Sequence, residues 1–344
     1  MKYITGFVLL FSISCTREIN KQTEYSFYYW KTTFSNEIKA ADFIQSQRVN
    51  HFYIHYFDID WDPNLYQPVP VAEMNGFINS VPFTSVHFTP VIYITNNCLD
   101  MMDNHWCDSL PNKIRNKIIF ITNRLQQANP SVKTGIDEIQ IDCDWTERTK
   151  EKYFRFLKNF KQRYPDKIIS ATVRLYPYKY YEKAGVPPVD KGLLMCYNLT
   201  NIKDVKTANS IFDIKDLKQY LITKKYPLPL DIALPVFSWY AWFSQGEFKG
   251  IVYPDEKNFL TADTRFFKKV GNNFLLTADT LAGNNYLREG DLLRLEDPGK
   301  DELAEAAEIL HQHFPKTKRI ALFYWDKFLI QRNEAVIHQI YATF

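Results

Sequence analysis

Gly135-Ile-Asp-Glu-Ile-Gln-Ile-Asp-Cys-Asp-Trp-Thr-Glu147 alternates with a period of two. Ile139, Ile141 and Cys143 fall on one face, and Gln140, Asp142 and Asp144 fall on the other. Thr146 and Glu147 then open a helical pattern carried by Tyr153, Phe154, Leu157 and Phe160. A strand with one polar face and a helix directly behind it suits a (β/α)8 barrel. The apolar face meets the surrounding helices, the polar face looks down the axis, and the last inward carboxylates reach the catalytic mouth.

Strand and helix patterns keep alternating on both sides of that stretch. Upstream, strands are expected over residues 25–34, 51–60 and 86–95, with helices over 36–48 and 111–127, the second starting on Pro111. Downstream, strands are expected over 167–176, 192–199, 230–239 and 319–326, with helices over 147–164, 214–225 and 300–314. That makes eight strands, and a barrel domain over 25–344 is the economical fold. Residues 245–298 break the alternation with the turn signals Asn272-Asn273, Gly283-Asn284-Asn285 and Glu289-Gly290-Asp291. They predict an antiparallel β insertion between the seventh strand and the last helix, on the catalytic face.

The 344 residues are 46% hydrophobic and 24% charged, enough for one large α/β core. A net charge of +3 without long like-charge runs argues against nucleic acid as a partner. Aromatic residues make up 16%, with 22 tyrosines, which suits a cleft where amphipathic rings stack on sugars. There is no Gly-rich phosphate loop, nucleophile elbow or zinc signature, so neither cofactor nor metal is expected.

The N-terminus reads as a targeting segment. Lys2 precedes the apolar run Gly6-Phe-Val-Leu-Leu-Phe11, too short to span a bilayer, and Ser12-Ile-Ser-Cys15 follows. This resembles a bacterial lipobox, with Ser12 where Leu is usual. The resemblance implies a signal peptide over 1–15, a polar tether over 16–24, and export to the cell envelope at the periplasmic or outer-membrane surface. The membrane would be reached through a lipid on Cys15. A plain signal peptide is the alternative. In an oxidising compartment Cys98 and Cys107, which share one polar loop, are close enough in sequence for a disulfide. Cys143 and Cys196 read as buried thiols. Asp100, Asp103, His105 and Asp108 share the loop of Cys98, but their spacing fits no closed zinc set.

Asp137-Glu-Ile-Gln-Ile-Asp-Cys-Asp144 is similar to the D-G-x-D-x-D-x-E motif on the fourth barrel strand of chitinase-like glycoside hydrolases of family 18. Met195-Cys-Tyr-Asn198 and Phe323-Tyr-Trp-Asp326 resemble the ends of that family's sixth and eighth strands. The departures are Glu138 for Gly, Gln140 for Asp, and Asp144 for the terminal Glu. The resemblance implies Asp144 as general acid/base, Asp142 as its charge partner and Tyr197 as a ring-positioning hydroxyl. Asp is one methylene shorter than Glu, about 1.5 Å of reach, while a proton donor must lie within about 3 Å of the leaving oxygen.

Without the family, Asp142 and Asp144 sit about 7 Å apart on one strand face, each raising the cost of ionising the other. One Asp capping the next helix and the other pairing with Arg174 is the structural alternative. The candidate substrate-binding set is Tyr197, Asn198, Asp58, Asp60, Arg174, Tyr176, Trp239 and Trp325. Asp58 and Asp60 end the second strand and could oppose Asp144 in a direct two-acid mechanism; turn-forming Asp is the rival. Arg174 reads first as a partner for Asp142 or Asp144. Of Trp239, Trp242 and Trp325, one is expected to be a sugar platform. Two functions stay open: an exported glycoside hydrolase-like lipoprotein acting on a glycan, or a non-catalytic glycan-binding or structural lipoprotein with a degenerate site.

Overall fold

The computed structural model describes residues 23–32, 40–75, 86–128, 135–221, 225–254, 265–282 and 285–344. The leader, Cys15 and nearly all of the tether lie outside the described residues. The first strands are β1 (Glu24–Tyr29), β2 (Val49–Asp62), its antiparallel hairpin partner β3 (Gln67–Val71), and β4 (His87–Ile94). They are followed by β5 (Glu138–Asp142), β6 (Ile168–Arg174), β7 (Lys191–Met195) and β8 (Leu230–Pro235). An inserted run follows: β9 (Trp239–Ser244), β10 (Glu247–Val252), β11 (Phe267–Val270), β12 (Asn273–Leu276), β13 (Thr280–Ala282), β14 (Asn285–Leu287) and β15 (Leu292–Glu296). The last strand is β16 (Arg319–Phe323).

Strands β1, β2, β4, β5, β6, β7, β8 and β16 pair in parallel, and β1 joins both β2 and β16, so the sheet closes into an eight-stranded barrel. Around it run α1 (Ala40–Ser46), α2 (Asn96–Met101), α3 (Asn104–Ala128), α4 (Lys150–Gln162), the short α5 (Leu175–Lys179) and α6 (Tyr181–Ala184), α7 (Ile214–Tyr220), α8 (Lys300–His313) and α9 (Lys327–Thr343). Among the described residues, no helix is long and apolar enough to cross a membrane.

The alternation read in the fourth barrel strand is realised in β5. Glu138, Gln140 and Asp142 each bond to side chains of other barrel strands, while Ile139 and Ile141 are buried among apolar residues. The interior at the strands' N-terminal end is ionic. Glu138 Oε2 lies 2.7 Å from Arg319 Nη1 and 2.8 Å from Lys191 Nζ, and Ser170 Oγ donates to its Oε1 at 2.6 Å. Lys191 also meets Asp231 at 2.7 Å; Arg319 reaches Glu24 at 2.6 Å and donates to the Tyr53 hydroxyl at 2.9 Å. Burial pushes the Glu138 carboxyl up, but Arg319 and Lys191 outweigh it and hold it below the usual carboxylate range.

The inserted sheet runs β10-β9-β15-β12-β11, with β13 and β14 as a separate hairpin. Gln245 and Gly246, at φ 53° and 81°, turn β9 back into β10, the left-handed pair that the twist of a two-residue hairpin demands. Its own core gathers Tyr240, Phe267, Phe274 and Leu293. It is fastened to the loop after β7 by two buried charges. Arg294 Nη2 lies 2.6 Å from Glu296 Oε1, and the same guanidinium donates to the carbonyls of Ile202, Asp204 and Val205. Glu296 Oε2 accepts from Ser210 N at 3.0 Å and from Trp239 Nε1 at 2.8 Å.

Several expected boundaries move. The insertion takes over at Trp239, six residues before the predicted start, because 239–244 pairs with β10 and β15 instead of extending the seventh barrel strand. The helix expected from Pro111 begins at Asn104 with the proline inside it. Proline cannot donate to the carbonyl four residues back, that of Cys107, and Asn159 Nδ2 approaches this oxygen at 3.4 Å instead. The polar loop drawn around Cys98 and Cys107 is therefore helical, and both thiols are buried and free. The acids of that segment serve structure: Asp100 pairs with Arg148, Asp108 with Arg155, and Asp103 accepts from Trp106 N.

Candidate active site

Asp142 closes β5, and register places it beside Tyr93 on β4. The residue is 7% exposed, and Thr172 Oγ1 on β6 donates to its Oδ1 at 2.5 Å. Burial, and next the neighbouring Asp144 carboxyl, push the Asp142 carboxyl up to about 7. A carboxyl in this condition stays half protonated at neutral pH, as acid catalysis requires.

Asp144 lies two residues beyond, past the last ladder pair, with a side chain 42% exposed. Arg174, the final residue of β6 and 37% exposed, sets Nε 2.9 Å from Asp144 Oδ1. The contact is an ion pair by distance, with the N–H not aligned for a hydrogen bond. Both residues line a cleft of about 570 Å³ between the loops that follow β5 and β6. Trp145, Glu147, Arg148 and Tyr176 complete the part that matters for chemistry. The Trp145 indole is itself fixed, donating to Ala184 O at 3.1 Å. Tyr176 packs on Tyr180 with ring centroids 4.9 Å apart, and both rings are exposed.

The other predicted residues are scattered around that pair. Tyr197 is buried with its ring stacked on Phe323 at 5.1 Å, and its hydroxyl takes no protein partner among the described residues. Asn198 sits at φ 55°, its N–H donating to Ile211 O at 2.7 Å. Asp58 accepts from His55 Nε2 at 2.6 Å, and its charge reaches Asp142. Asp60 forms no turn and does not end its strand, since β2 runs on to Asp62; it accepts from Thr95 Oγ1, just past β4, at 2.6 Å and from Trp61 N at 2.8 Å. Trp239 is held through its indole N–H by Glu296. Trp325 is 4% exposed and packs edge-on against Phe27 and Phe52, so it belongs to the core and not to the cleft.

Thr172 and Tyr93 escaped the sequence reading, although a period-two count along their strands places each on the same inward face as Arg174 or Thr95. Among the described residues no three His, Cys, Asp or Glu side chains come together as a metal cluster.

No protein-family model matches the chain, and no curated protein matches it. Solved structures do. A chitinase from Chromobacterium violaceum aligns with TM-score 0.53 at 9% identity, covering 93% of this chain and 99% of that one. The spore cortex-lytic enzyme SleL of Bacillus cereus gives 0.50 at 16% identity, covering 93% and 74%. A fungal endo-β-N-acetylglucosaminidase of glycosyl hydrolase family 18 gives 0.50 at 8%, covering 93% and 98%. At such identities the likeness speaks to architecture alone: the chain shares the (β/α)8 barrel of these solved structures.

Proposed function

We propose that this protein binds a glycan in the cleft beside β5 and cleaves it by carboxylate acid catalysis. The observation that carries this is the pair itself: an exposed Asp144 on an open cleft, with a buried Asp142 beneath it that still holds a proton near neutrality. In cleavage Asp144, at the cleft, delivers to the glycosidic oxygen the proton that Asp142 holds; the C–O bond to the leaving sugar breaks, and water adds to the anomeric carbon and returns a proton to the pair. Tyr176 and Tyr180 offer ring faces to a pyranose.

Binding without cleavage is favoured by one specific contact, the 2.9 Å approach of Arg174 to Asp144, on a side chain already shorter than the family's Glu. A glycan-release screen with Asp144→Asn beside the wild type separates the two. Cleavage predicts product from the wild type and at least about a 100-fold slower release from the variant, with glycan affinity kept within a few-fold. Equal release from both would take Asp144 out of the chemistry, and none from either over a broad panel would leave binding as the function.

We further propose that the protein is exported and anchored through a lipid on Cys15, the reading supported by the Ser12-Ile-Ser-Cys15 junction. Metabolic labelling with a fatty-acid analogue should mark the wild type and not Cys15→Ala. An unlabelled wild type in the membrane fraction would contradict the anchor.

A further inference from the structure

The charges of the cleft are nearly all committed to one another. Glu147 is held by Lys183 at 2.9 Å, and Arg148 is paired with Asp100. Asp144 takes the Nε side of Arg174. Arg174 Nε is itself out of contact with water, so the exposed third of that side chain lies on the remaining atoms. Its two Nη nitrogens take no hydrogen bond among the described residues, and the residue lines the cleft. The outer edge of a guanidinium is a planar pair of N–H donors whose spacing matches the two oxygens of a carboxylate. A neutral sugar hydroxyl satisfies only one of them.

Beside this edge stands an aromatic ledge. Tyr176 follows Arg174 by two residues and is 48% exposed; Tyr180 is 43% exposed. Lys179 Nζ sits 5.3 Å from the Tyr180 ring centroid, so the ledge carries positive charge at its rim. Rings that accept a pyranose face, next to a cationic fork, describe recognition of a sugar that is both cyclic and anionic.

We infer that the cleft selects glycans bearing sugar carboxylates, gripped bidentately by the Nη edge of Arg174 while a ring of the same unit lies on Tyr176. The inference rests on the glycan-binding reading of the cleft, but not on cleavage. It makes Arg174 a specificity-determining residue whose Nε side steadies Asp144 and whose outer side reads the ligand.

The test is an array of matched oligosaccharides, neutral, carboxylated (hexuronates and carboxyalkyl ethers) and sulfated, probed with the purified protein at low and high salt. Carboxylated members should be retained roughly tenfold more tightly than their neutral counterparts, and the preference should shrink as salt rises. Arg174→Gln should erase the preference. Arg174→Lys, which keeps the charge but loses the fork, should recover only part of it. Circular dichroism and melting of both variants check that they fold, and Tyr176→Ala should weaken neutral and carboxylated members alike. Equal retention of neutral and carboxylated members overturns the inference, as do sulfated members bound in preference, no carboxylated member bound, or a preference untouched in Arg174→Gln. If neutral glycans are cleaved without regard to charge, the proposed function stands and this inference falls. If carboxylated glycans are bound in preference but not cleaved, this inference stands and the hydrolytic function falls.

Discussion

Replacing Glu138 by alanine is expected to cost about 3–5 kcal/mol of folding stability, the range for breaking one member out of a buried ion-pair network. Glu138 is the hub between Arg319 and Lys191, and all three side chains sit inside the barrel. Without it Arg319 keeps Glu24 and Lys191 keeps Asp231, but both lose the oxygen that joins them, and Ser170 loses its acceptor. Two cations are then left in a cavity with one anion fewer, and cations desolvated without a counter-charge are what makes such deletions costly. Urea unfolding at pH 7 measures it; a loss under about 1 kcal/mol would mean that water enters and solvates the site. Because the Glu138 carboxyl is held below its usual range, its contribution is present above the unfolded-state pKa and fades as pH falls through the folded one.

Asp142→Asn is expected to act in the opposite direction, and only in part of the pH range. The folded protein holds the Asp142 proton up to about 7, whereas an unfolded chain releases it near 4. A carboxyl raised in this way favours the native state fully below pH 4 and loses that advantage as pH climbs to 7. Asparagine has no proton to lose and can still accept from Thr172. The variant should therefore match the wild type near pH 4 and exceed it by about 2–4 kcal/mol at pH 8. Urea midpoints at the two pH values decide this. A difference of the same size at both would show that the carboxyl is not the titrating group. In the hydrolytic reading the same variant loses the pair's proton store, so stability gained is catalysis forfeited.

The fold was legible because β5 shows its whole logic in five residues: inward Glu138, Gln140 and Asp142 against outward Ile139 and Ile141. Asp142, Asp144, Arg174 and Tyr176 were legible because strand-end position alone nominates them. Trp325 was not, since a tryptophan at a strand end has the same sequence signature whether it faces a cleft or, as here, Phe27 and Phe52. The early start of α3 was masked by Pro111, whose usual place is a helix's first turn and whose lost bond is made good by Asn159, 48 positions away in sequence. The Arg319–Glu138–Lys191 network joins three strands far apart in the chain, and no local pattern announces which inward charges will meet. The β2–β3 hairpin was hidden for another reason: Gln67-Pro-Val-Pro-Val71 contains two prolines, which argue against a strand until it is seen to be an edge.

The Arg294–Glu296 couple has a mechanical meaning for the insertion. A sheet with its own small core would ordinarily be free to peel away from its host as a separate melting unit. Here separation would strip the guanidinium of the Ile202, Asp204 and Val205 carbonyls and the carboxylate of the Ser210 amide all at once. That penalty welds the excursion to residues 202–210, so barrel and insertion share a single cooperative fate instead of two.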